Sequence, residues 1–302
     1  MKVGSTQVVV VFILTVAFFG TSFPAIKVAE EGFTPASIVL LRAVLASGAL
    51  ALMAVAFRVT LRMPWRDLLA AAAIGQLGIS LFQWVLNSAI AQTSIGVAST
   101  IVNTAPLVSL VLSAIVLRES IPMLRWMGMA ISFIGIYLLG TSTGVYDSRG
   151  IALLIVASLS LGVYSVALKP LLARHHPLTV TFHGTWPGAF LFAWAAPGIF
   201  DDAATAGLSA WVGVAVLVVV VTCGGYVLLA RLIQVLPVSR VVVYYYLVPP
   251  VAILYSMILF GEIPSAREGI GVAIVITGVA LALSAGSSQR ASQPQVKTPE
   301  AR

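Results

Sequence analysis

Four polar side chains recur along one apolar stretch of the chain and offer hydrogen-bonding chemistry without charge. Gln76, Ser80, Gln83 and Asn87 are spaced four, three and four residues apart, so they fall on one face of a helix. Trp84 flanks that face and could stack on an aromatic or aliphatic group. Such a stripe either bonds to neighbouring helices or lines a cavity for a polar substrate, and we favour the cavity.

Other apolar stretches add further candidates for substrate binding. These candidates are Ser22, Ser99, Asn103, Tyr164, Tyr226 and Tyr245. Ser99 and Asn103 are four residues apart and precede Pro106, whose missing N–H frees a backbone carbonyl that either binds an ammonium group or allows a bend. The run Tyr244–Tyr246 covers about 300° of a helix, so at most two of its rings can face a cavity. We choose Tyr245.

Four ionisable residues have alternative interpretations. Arg42 is either an attractor for a carboxylate or a side chain that snorkels outward to backbone carbonyls, and we favour the structural role. His183 is either a proton relay or a hydrogen-bonded structural histidine, and again we favour structure. Glu119 and Glu262 are expected at helix ends, where they pair with bases or cap amides rather than act as gates.

Motifs for catalysis are absent from the sequence. It contains no His-Glu-x-x-His, no G-x-S-x-G and no Walker loop, and its three histidines include two neighbours in a predicted loop. The single cysteine, Cys223, permits no intrachain disulfide and is expected to be a buried inert thiol. We therefore predict neither an enzyme nor a cofactor or metal site.

The composition predicts a membrane protein. Of 302 residues, 60% are hydrophobic and 9% are charged, whereas soluble domains carry roughly 25% charged residues. The apolar stretches are about 20 residues long, which suits membrane-spanning helices rather than β-barrel strands of about ten residues. The net charge of +7 comes from basic residues placed singly, which argues against nucleic acid as a partner.

Ten spans are predicted along the chain. Their approximate limits are 8–26, 35–57, 68–90, 95–117, 122–141, 151–168, 178–197, 210–232, 238–260 and 266–285. The first run extends to Ile26 with no small-residue cleavage site after it, so we interpret it as a retained span rather than a signal peptide. The polar tail, residues 287–302, is predicted to be disordered and cytoplasmic. No Asp or Glu falls firmly inside any of these spans, which argues against strong proton coupling.

The distribution of Lys and Arg predicts the orientation. With the N-terminus in the cytoplasm, 13 basic residues fall on the cytoplasmic side, 3 fall outside and Arg42 lies within a span. This bias places both termini in the cytoplasm. The predicted location is the bacterial cytoplasmic (inner) membrane, with multiple spans.

An internal repeat divides the chain into two halves. Pro106-x12-Glu119-x8-Gly128-x6-Gly135 recurs as Pro249-x12-Glu262-x8-Gly271-x6-Gly278, with every pair 143 residues apart. Residues 1–145 and 146–286 then hold five spans each, and an odd number inverts the second half in the bilayer. Inverted repeats are typical of secondary transporters, which move substrate by alternating access at a central site.

Several motifs resemble the drug/metabolite transporter superfamily, EamA type. They are the run from Ala17 to Lys27 (AFFGTSFPAIK), Pro35 with Arg42, and the Pro106–Glu119–Gly128 pattern. The resemblance covers all but the tail and implies ten helices, cytoplasmic termini and movement of small metabolites, often amino acids outward. It is strongest to the bacterial aromatic amino acid exporter branch. Phe18-Phe19 departs from the family, which usually has a tryptophan before the glycine.

The sequence therefore predicts an exporter of amino acids, aromatic and other neutral ones above all, or of related small metabolites. Facilitated diffusion or exchange is favoured as the mechanism. The expected partners are a small-molecule substrate and the lipid bilayer, without an obligate protein partner. The alternatives are an exporter of drugs or other metabolites and, more remotely, a receptor or scaffold.

Overall fold

Helices are the only regular secondary structure in the residues that the computed structural model describes, which are residues 5–90, 101–140, 148–261, 263 and 265–284. Within them, seven helices are long and apolar enough to cross a membrane: Thr6–Ala29, Pro35–Ala56, Trp65–Ala89, Ser148–Leu172, Leu208–Val235, Val238–Phe260 and Ala266–Ser284. Ala105–Val116 and Met123–Leu139 are shorter apolar helices. The predicted helical membrane class is confirmed, whereas the count of ten spans stays a prediction.

Several spans consist of consecutive shorter helices. The first half contains α1 (Ser5–Gly20), α2 (Ser22–Ala29), α3 (Pro35–Ala56), α4 (Trp65–Gly75), a π-helical segment (Gln76–Ser80), α5 (Leu81–Ile90), α6 (Ala105–Val116) and α7 (Met123–Gly140). The second half contains α8 (Ser148–Leu172), α9 (Pro177–Thr185), α10 (Pro187–Leu191), a 3-10 turn (Ala193–Ala195), α11 (Ala196–Thr205), α12 (Leu208–Val216), a π-helical segment (Leu217–Tyr226), α13 (Val227–Val235), α14 (Val238–Val241), a 3-10 segment (Val242–Leu247), α15 (Val248–Phe260) and α16 (Ala266–Ser284).

The seventh predicted span is not one helix. The sequence predicts a continuous span from Leu178 to Pro197, but the structure divides this region into α9, α10, a 3-10 turn and α11. Pro187 and Pro197 explain the breaks, because proline lacks the N–H that continues a helix yet is well suited to start one. The same effect separates α1 from α2, since Pro24 cannot donate to the carbonyl of Gly20.

The repeat seen in the sequence also sets the helix boundaries. The third helical stretch of each half begins at Trp65 and Leu208, the fourth helices α6 and α15 begin at Ala105 and Val248, and the fifth helices α7 and α16 begin at Met123 and Ala266. Each pair of starting residues is 143 positions apart. The π-helical segments lie at matching positions too, because Gln76–Ser80 corresponds to residues 219–223 of the second segment. The two halves thus share a local architecture, although their sequences differ between the matched positions.

The fifth helices of the two halves, α7 and α16, pack antiparallel through glycine. A Cβ atom on Gly128 would lie 2.5 Å from the carbonyl oxygen of Gly278, and one on Gly135 would lie 2.7 Å from that of Gly271. Gly128 corresponds to Gly271, and Gly135 to Gly278, so the two contacts are each other's image under a twofold exchange of the halves. Between them, the hydroxyl of Ser132 donates to the carbonyl of its counterpart, Val275, at 3.3 Å. A pseudo-twofold axis therefore passes between α7 and α16.

The close contact between α7 and α16 predicts that replacing a glycine there by alanine lowers stability, although alanine normally stabilises a helix. Alanine is usually favoured over glycine in a helix by about 1 kcal/mol, but at Gly128 its methyl group would meet backbone atoms of α16. We expect Gly128→Ala to lower the midpoint of thermal unfolding in detergent. Gly48→Ala in α3 is the matched control, because nothing lies within 4 Å of a Cβ there. Equal midpoints for the two variants would contradict the close contact.

Candidate substrate cavity

A cavity of about 750 Å³, including its open mouth, lies between the two halves. Its lining comes from both halves: Phe19, Ser22, Phe23, Ile26, Phe82, Gln83, Leu86, Val102, Asn103, Pro106, Leu161, Tyr226, Tyr245, Val248 and Pro249. The first-half residues come from the last turns of the first and third spans and from the beginning of the fourth. The cavity therefore lies in the part of the bundle remote from Glu119, which follows the end of α6.

The polar groups of the cavity are amides, hydroxyls and phenols. The Gln83 side chain is only 7% exposed, and its Oε1 has no hydrogen-bond partner in the part of the chain described. The same holds for the hydroxyl of Tyr245. Buried polar atoms are nearly always paired, so an acceptor and a hydroxyl without partners are the groups that a bound polar molecule would satisfy. No carboxylate or ammonium group is among the lining residues.

The π-helical segment of the third span fixes Tyr226 at the cavity wall. A π-helical turn disturbs the regular pairing of backbone groups, and here two successive carbonyls accept side-chain hydroxyls of the other half. Tyr226 donates to the carbonyl of Gly78 at 2.8 Å, and Ser160 donates to that of Leu77 at 2.6 Å. Tyr226 in turn lies beside the Gln83 amide. The segment thus ties the two halves together next to the cavity.

Repeat-related residues meet in the cavity wall. The pairs Gln83 and Tyr226, Val102 and Tyr245, and Pro106 and Pro249 are each separated by 143 residues, and all six residues line the cavity. The cavity therefore lies at the interface between the two halves. The two sides of the cavity differ chemically, because the counterparts of Gln83 and Val102 are both tyrosines, Tyr226 and Tyr245.

Five of the candidate residues line this cavity: Ser22, Gln83, Asn103, Tyr226 and Tyr245. Five others lie elsewhere in the fold. They are Gln76, Ser80, Trp84, Asn87 and Tyr164. Ser99 lies outside the described residues.

The residues placed elsewhere make packing contacts or line another space. The Gln76 amide donates to the carbonyl of Gly184 at 3.0 Å, where Gly75 and Gly184 touch backbone to backbone. Trp84 packs on Phe192. The ring of Tyr164 covers Gly78, where any side chain would clash.

Ser80 and Asn87 are also buried. Ser80 lines a separate small cavity beside Arg42. The side chain of Asn87 is 2% exposed, and neither of its amide atoms has a hydrogen-bond partner in the described part of the chain.

The apolar part of the wall escaped the sequence analysis. Phe19, Phe23 and Phe82 supply aromatic surface to the cavity, yet they do not differ from the lipid-facing aromatics by any local signal. The repeat offset could have identified Pro249, the counterpart of Pro106, since both prolines line the cavity.

Two structural roles predicted from the sequence are confirmed. The His183 ring contacts the Leu61 carbonyl through Nε2 at 2.7 Å and accepts from the Trp186 indole at Nδ1, 3.1 Å away. These partners suit a neutral structural histidine that donates from Nε2. Glu119 caps backbone amides, because its carboxylate accepts from the N–H groups of Val238 at 2.7 Å and Ser239 at 2.9 Å. Glu262 lies outside the described residues.

Polar contacts join the two halves at both ends of the bundle. At one end, Glu119 of the first half holds the start of α14 in the second, and Arg125 donates to the hydroxyl of Ser239 at 3.1 Å. At the other end, the Asp202 carboxylate accepts from the N–H of Thr34 at 3.1 Å and from its hydroxyl at 3.3 Å. Burial alone would raise the pKa of Asp202, but these hydrogen bonds and one from Ser37 lower that pKa below its ordinary value.

One carboxylate lies closer to the membrane region than predicted. The predicted third span begins at Leu68, whereas the helix begins at Trp65 and so includes Asp67 in its first turn. Asp67 is buried and pairs with Arg174 at 3.0 Å and with His175 at 2.7 Å. This cluster lies at the helix end and not in the cavity wall. Nowhere in the described residues do three or more metal-ligating side chains come together.

The comparison with known proteins agrees with this architecture. The sequence profile of the EamA-like transporter family matches residues 6–141 and again residues 148–284. The chain belongs to the EamA-like transporter family. The two matches cover both halves, so the internal repeat is a repeat of the family's unit.

The relatives are named transporters. A probable terminal-alkyne amino-acid exporter of Streptantibioticus cattleyicolor is 32% identical over 270 residues, covering 89% of this chain and 91% of its own. The uncharacterized transporter YdfC of Bacillus subtilis is 28% identical over 282 residues, covering 92% of each chain. A crystal structure with a TM-score of 0.76 covers 96% of this chain and all of its own at 20% identity, which supports the fold.

Two glutamines of the same predicted stripe provide a test of the cavity. Gln83 presents an unpartnered oxygen to the cavity, whereas Gln76 bonds to a backbone carbonyl at a packing contact. We expect Gln83→Met to raise the KM of substrate flux several-fold with little change in thermal stability. Gln76→Met should lower stability and leave KM unchanged. Flux into liposomes and thermal unfolding measure the two effects, and equal KM values for both variants would contradict the assignment.

Proposed function

We propose that this EamA-family transporter exports neutral amino acids, aromatic ones above all, or closely related small metabolites across the bacterial inner membrane. The observation that carries the proposal is the cavity between the halves, whose polar groups are uncharged and whose remaining wall is aromatic and aliphatic. An uncharged wall binds a bare ion poorly. It suits a zwitterion or a neutral polar molecule with an apolar side chain.

The relatives support the amino-acid class. One of them is named a probable terminal-alkyne amino-acid exporter, and a terminal alkyne is an apolar group. The phenyl rings of Phe19, Phe23 and Phe82 provide a surface for such a side chain. The same apolar surface would also accept hydrophobic drugs or other metabolites, which are the competing substrates in the experiment below.

The proposed mechanism is alternating access by two inverted halves. Residues 1–145 and 146–286 form the repeats, each with five spans, and residues 287–302 form a cytoplasmic tail. The antiparallel packing of α7 on α16 supports inversion, because repeats that ran parallel would bring these helices together in the same direction. The polar contacts of Glu119 with α14 and of Asp202 with Thr34 join the halves at opposite ends. During alternating access, the contacts at one end would break while those at the other end hold, and then the reverse.

The proposed energetics are facilitated diffusion or exchange. Proton-driven carriers usually use a titrating carboxylate in the transport path, and the cavity wall has none. Asp67 and His175 are in contact, but this contact lies at a helix end and not in the cavity wall. Export then follows the outward gradient of the substrate.

Reconstitution in liposomes tests both parts of the proposal. We expect protein-dependent flux of labelled phenylalanine, with threonine and methionine as smaller comparison substrates. An imposed pH gradient should leave the initial rate of flux unchanged. Absence of protein-dependent flux for every amino acid would contradict the substrate class, and accumulation driven by a pH gradient would contradict the coupling.

A further inference from the structure

A fully buried cation lies next to the cavity without a matching negative charge. The Arg42 side chain belongs to α3 and is 5% exposed, so it does not snorkel outward. In the described residues it forms no ion pair, and its Nη2 donates to the hydroxyl of Thr222 at 3.1 Å. Thr222 in turn donates to the carbonyl of Leu217 at 2.8 Å. A buried arginine has five N–H donors to satisfy, and a neutral hydroxyl supplies no charge.

Other bases of the described residues have different partners. The Nζ of the half-buried Lys169 donates to the carbonyls of Ile233 at 2.6 Å and Leu236 at 2.7 Å. Arg125 is as buried as Arg42 but lies near the carboxylate of Glu119. An unpaired charge inside a membrane protein is expensive and usually marks a substrate or ion pathway. Of these two buried arginines, Arg42 is the one without a carboxylate nearby, so its charge requires a functional explanation.

A small polar space adjoins the guanidinium. It measures about 220 Å³ including its open side and is lined by Val39, Arg42, Ala43, Ile79, Ser80, Gln83 and Thr185. The Thr185 hydroxyl already donates to the carbonyl of Thr181 at 2.8 Å. The guanidinium of Arg42, the Ser80 hydroxyl and the Gln83 amide are therefore the donors available to a carboxylate in this space. The space lies on the α3 side of Gln83.

Gln83 separates this space from the central cavity, because it lines both. Tyr226, on the wall of the central cavity, lies near Arg42. A rotation of the Gln83 side chain would join the two spaces and expose Arg42 to the substrate. The Oε1 of Gln83 has no partner to lose in such a rotation, which would exchange the contact of the amide with Tyr226 for contacts with the substrate.

We propose that Arg42, with Ser80 and Gln83, forms the subsite that binds the carboxylate of the transported molecule. The proposal rests on the proposed amino-acid transport and adds how the zwitterion is oriented. The carboxylate occupies the space beside Arg42, while the side chain of the substrate lies among the phenyl rings of the central cavity. Thr222 positions the guanidinium by holding Nη2.

The proposed subsite predicts that phenylalanine binds better than analogues whose carboxylate is absent or replaced by a neutral amide. In liposomes that transport labelled phenylalanine, unlabelled phenylalanine, phenylalaninamide and phenethylamine are compared as competitors, at a pH where all three amino groups are protonated. We expect phenylalanine to compete at least tenfold better than either compound that lacks the carboxylate. Equal competition by all three would overturn the Arg42 subsite while leaving the transport function intact.

Two variants of Arg42 test whether this residue causes the preference for the carboxylate. Arg42→Met should reduce the affinity for phenylalanine about tenfold and leave that for phenylalaninamide within a factor of two. Arg42→Lys, which keeps the charge, should retain part of the preference and serves if the methionine variant fails to fold. Arg125→Met is the matched control, because it removes another buried arginine but should keep the preference for the carboxylate. Loss of the preference in that control, or its full retention in Arg42→Met, would overturn the proposal.

A separate outcome tests the underlying function. If the wild-type protein neither transports phenylalanine nor is thermally stabilised by phenylalanine or by either analogue, the amino-acid function itself fails, and the Arg42 subsite fails with it. Binding of phenylalanine without flux, together with a tenfold preference over the amide, would support the subsite. It would contradict only the proposed transport function.

Discussion

The contact between α7 and α16 is the constraint on which the arrangement of the halves depends. In a bilayer the hydrophobic effect does not draw helices together, so close packing of small residues has to do so. Gly128 and Gly135 allow the backbone of α7 to approach that of α16, and Gly271 and Gly278 allow the reverse. Because these glycines are counterparts in the repeat, one contact surface is used twice about a pseudo-twofold axis.

The π-helical segments connect this symmetry with the cavity. Each lies in the third span of its half, and each offers a carbonyl to a hydroxyl group. In the first segment the carbonyl of Gly78 accepts from Tyr226, and in the second the carbonyl of Leu217 accepts from Thr222, which holds Arg42. Irregular backbone inside a membrane is tolerated where protein groups satisfy it. Here the groups that satisfy it are the hydroxyls of Tyr226, which lines the cavity, and of Thr222, which holds Arg42.

The repeat was used in the sequence only to divide the chain into two halves, but it relates more of this structure than the local patterns do. The 143-residue offset also relates the helix starts of the two halves, the glycines of α7 and α16, and Gln83 with Tyr226. The polar stripe predicted from helical spacing was less informative, for a physical reason. A π-helical turn between Gln76 and Ser80 changes the phase of an α-helix, so Gln76 faces Gly184 while Gln83 faces the cavity. Spacing arguments assume a regular helix, and no residue type in this stretch signals that the helix is irregular.

Long-range packing and local helix breaks set the remaining features that the sequence left open. Arg42 was expected to reach outward, but the packing of α3 against the second π-helical segment encloses it beside Thr222. The seventh span was expected to be continuous, but its two prolines divide it. At Arg42 the local sequence permits several arrangements, and the contact with Thr222, 180 positions away, selects one of them. The seventh span is divided by a local cause, the prolines within it.

The central claim, that two inverted halves surround the cavity, is tested most directly by the sidedness of repeat-related positions. Ser120 and Ile263 are exposed counterparts, 143 residues apart, and the single native cysteine is buried. In a Cys223→Ala background, Ser120→Cys and Ile263→Cys are labelled in intact cells with a membrane-impermeant maleimide. The account predicts that Ile263→Cys reacts at once and that Ser120→Cys reacts only after the membrane is permeabilised. Labelling of both positions from the same side of the membrane would contradict it.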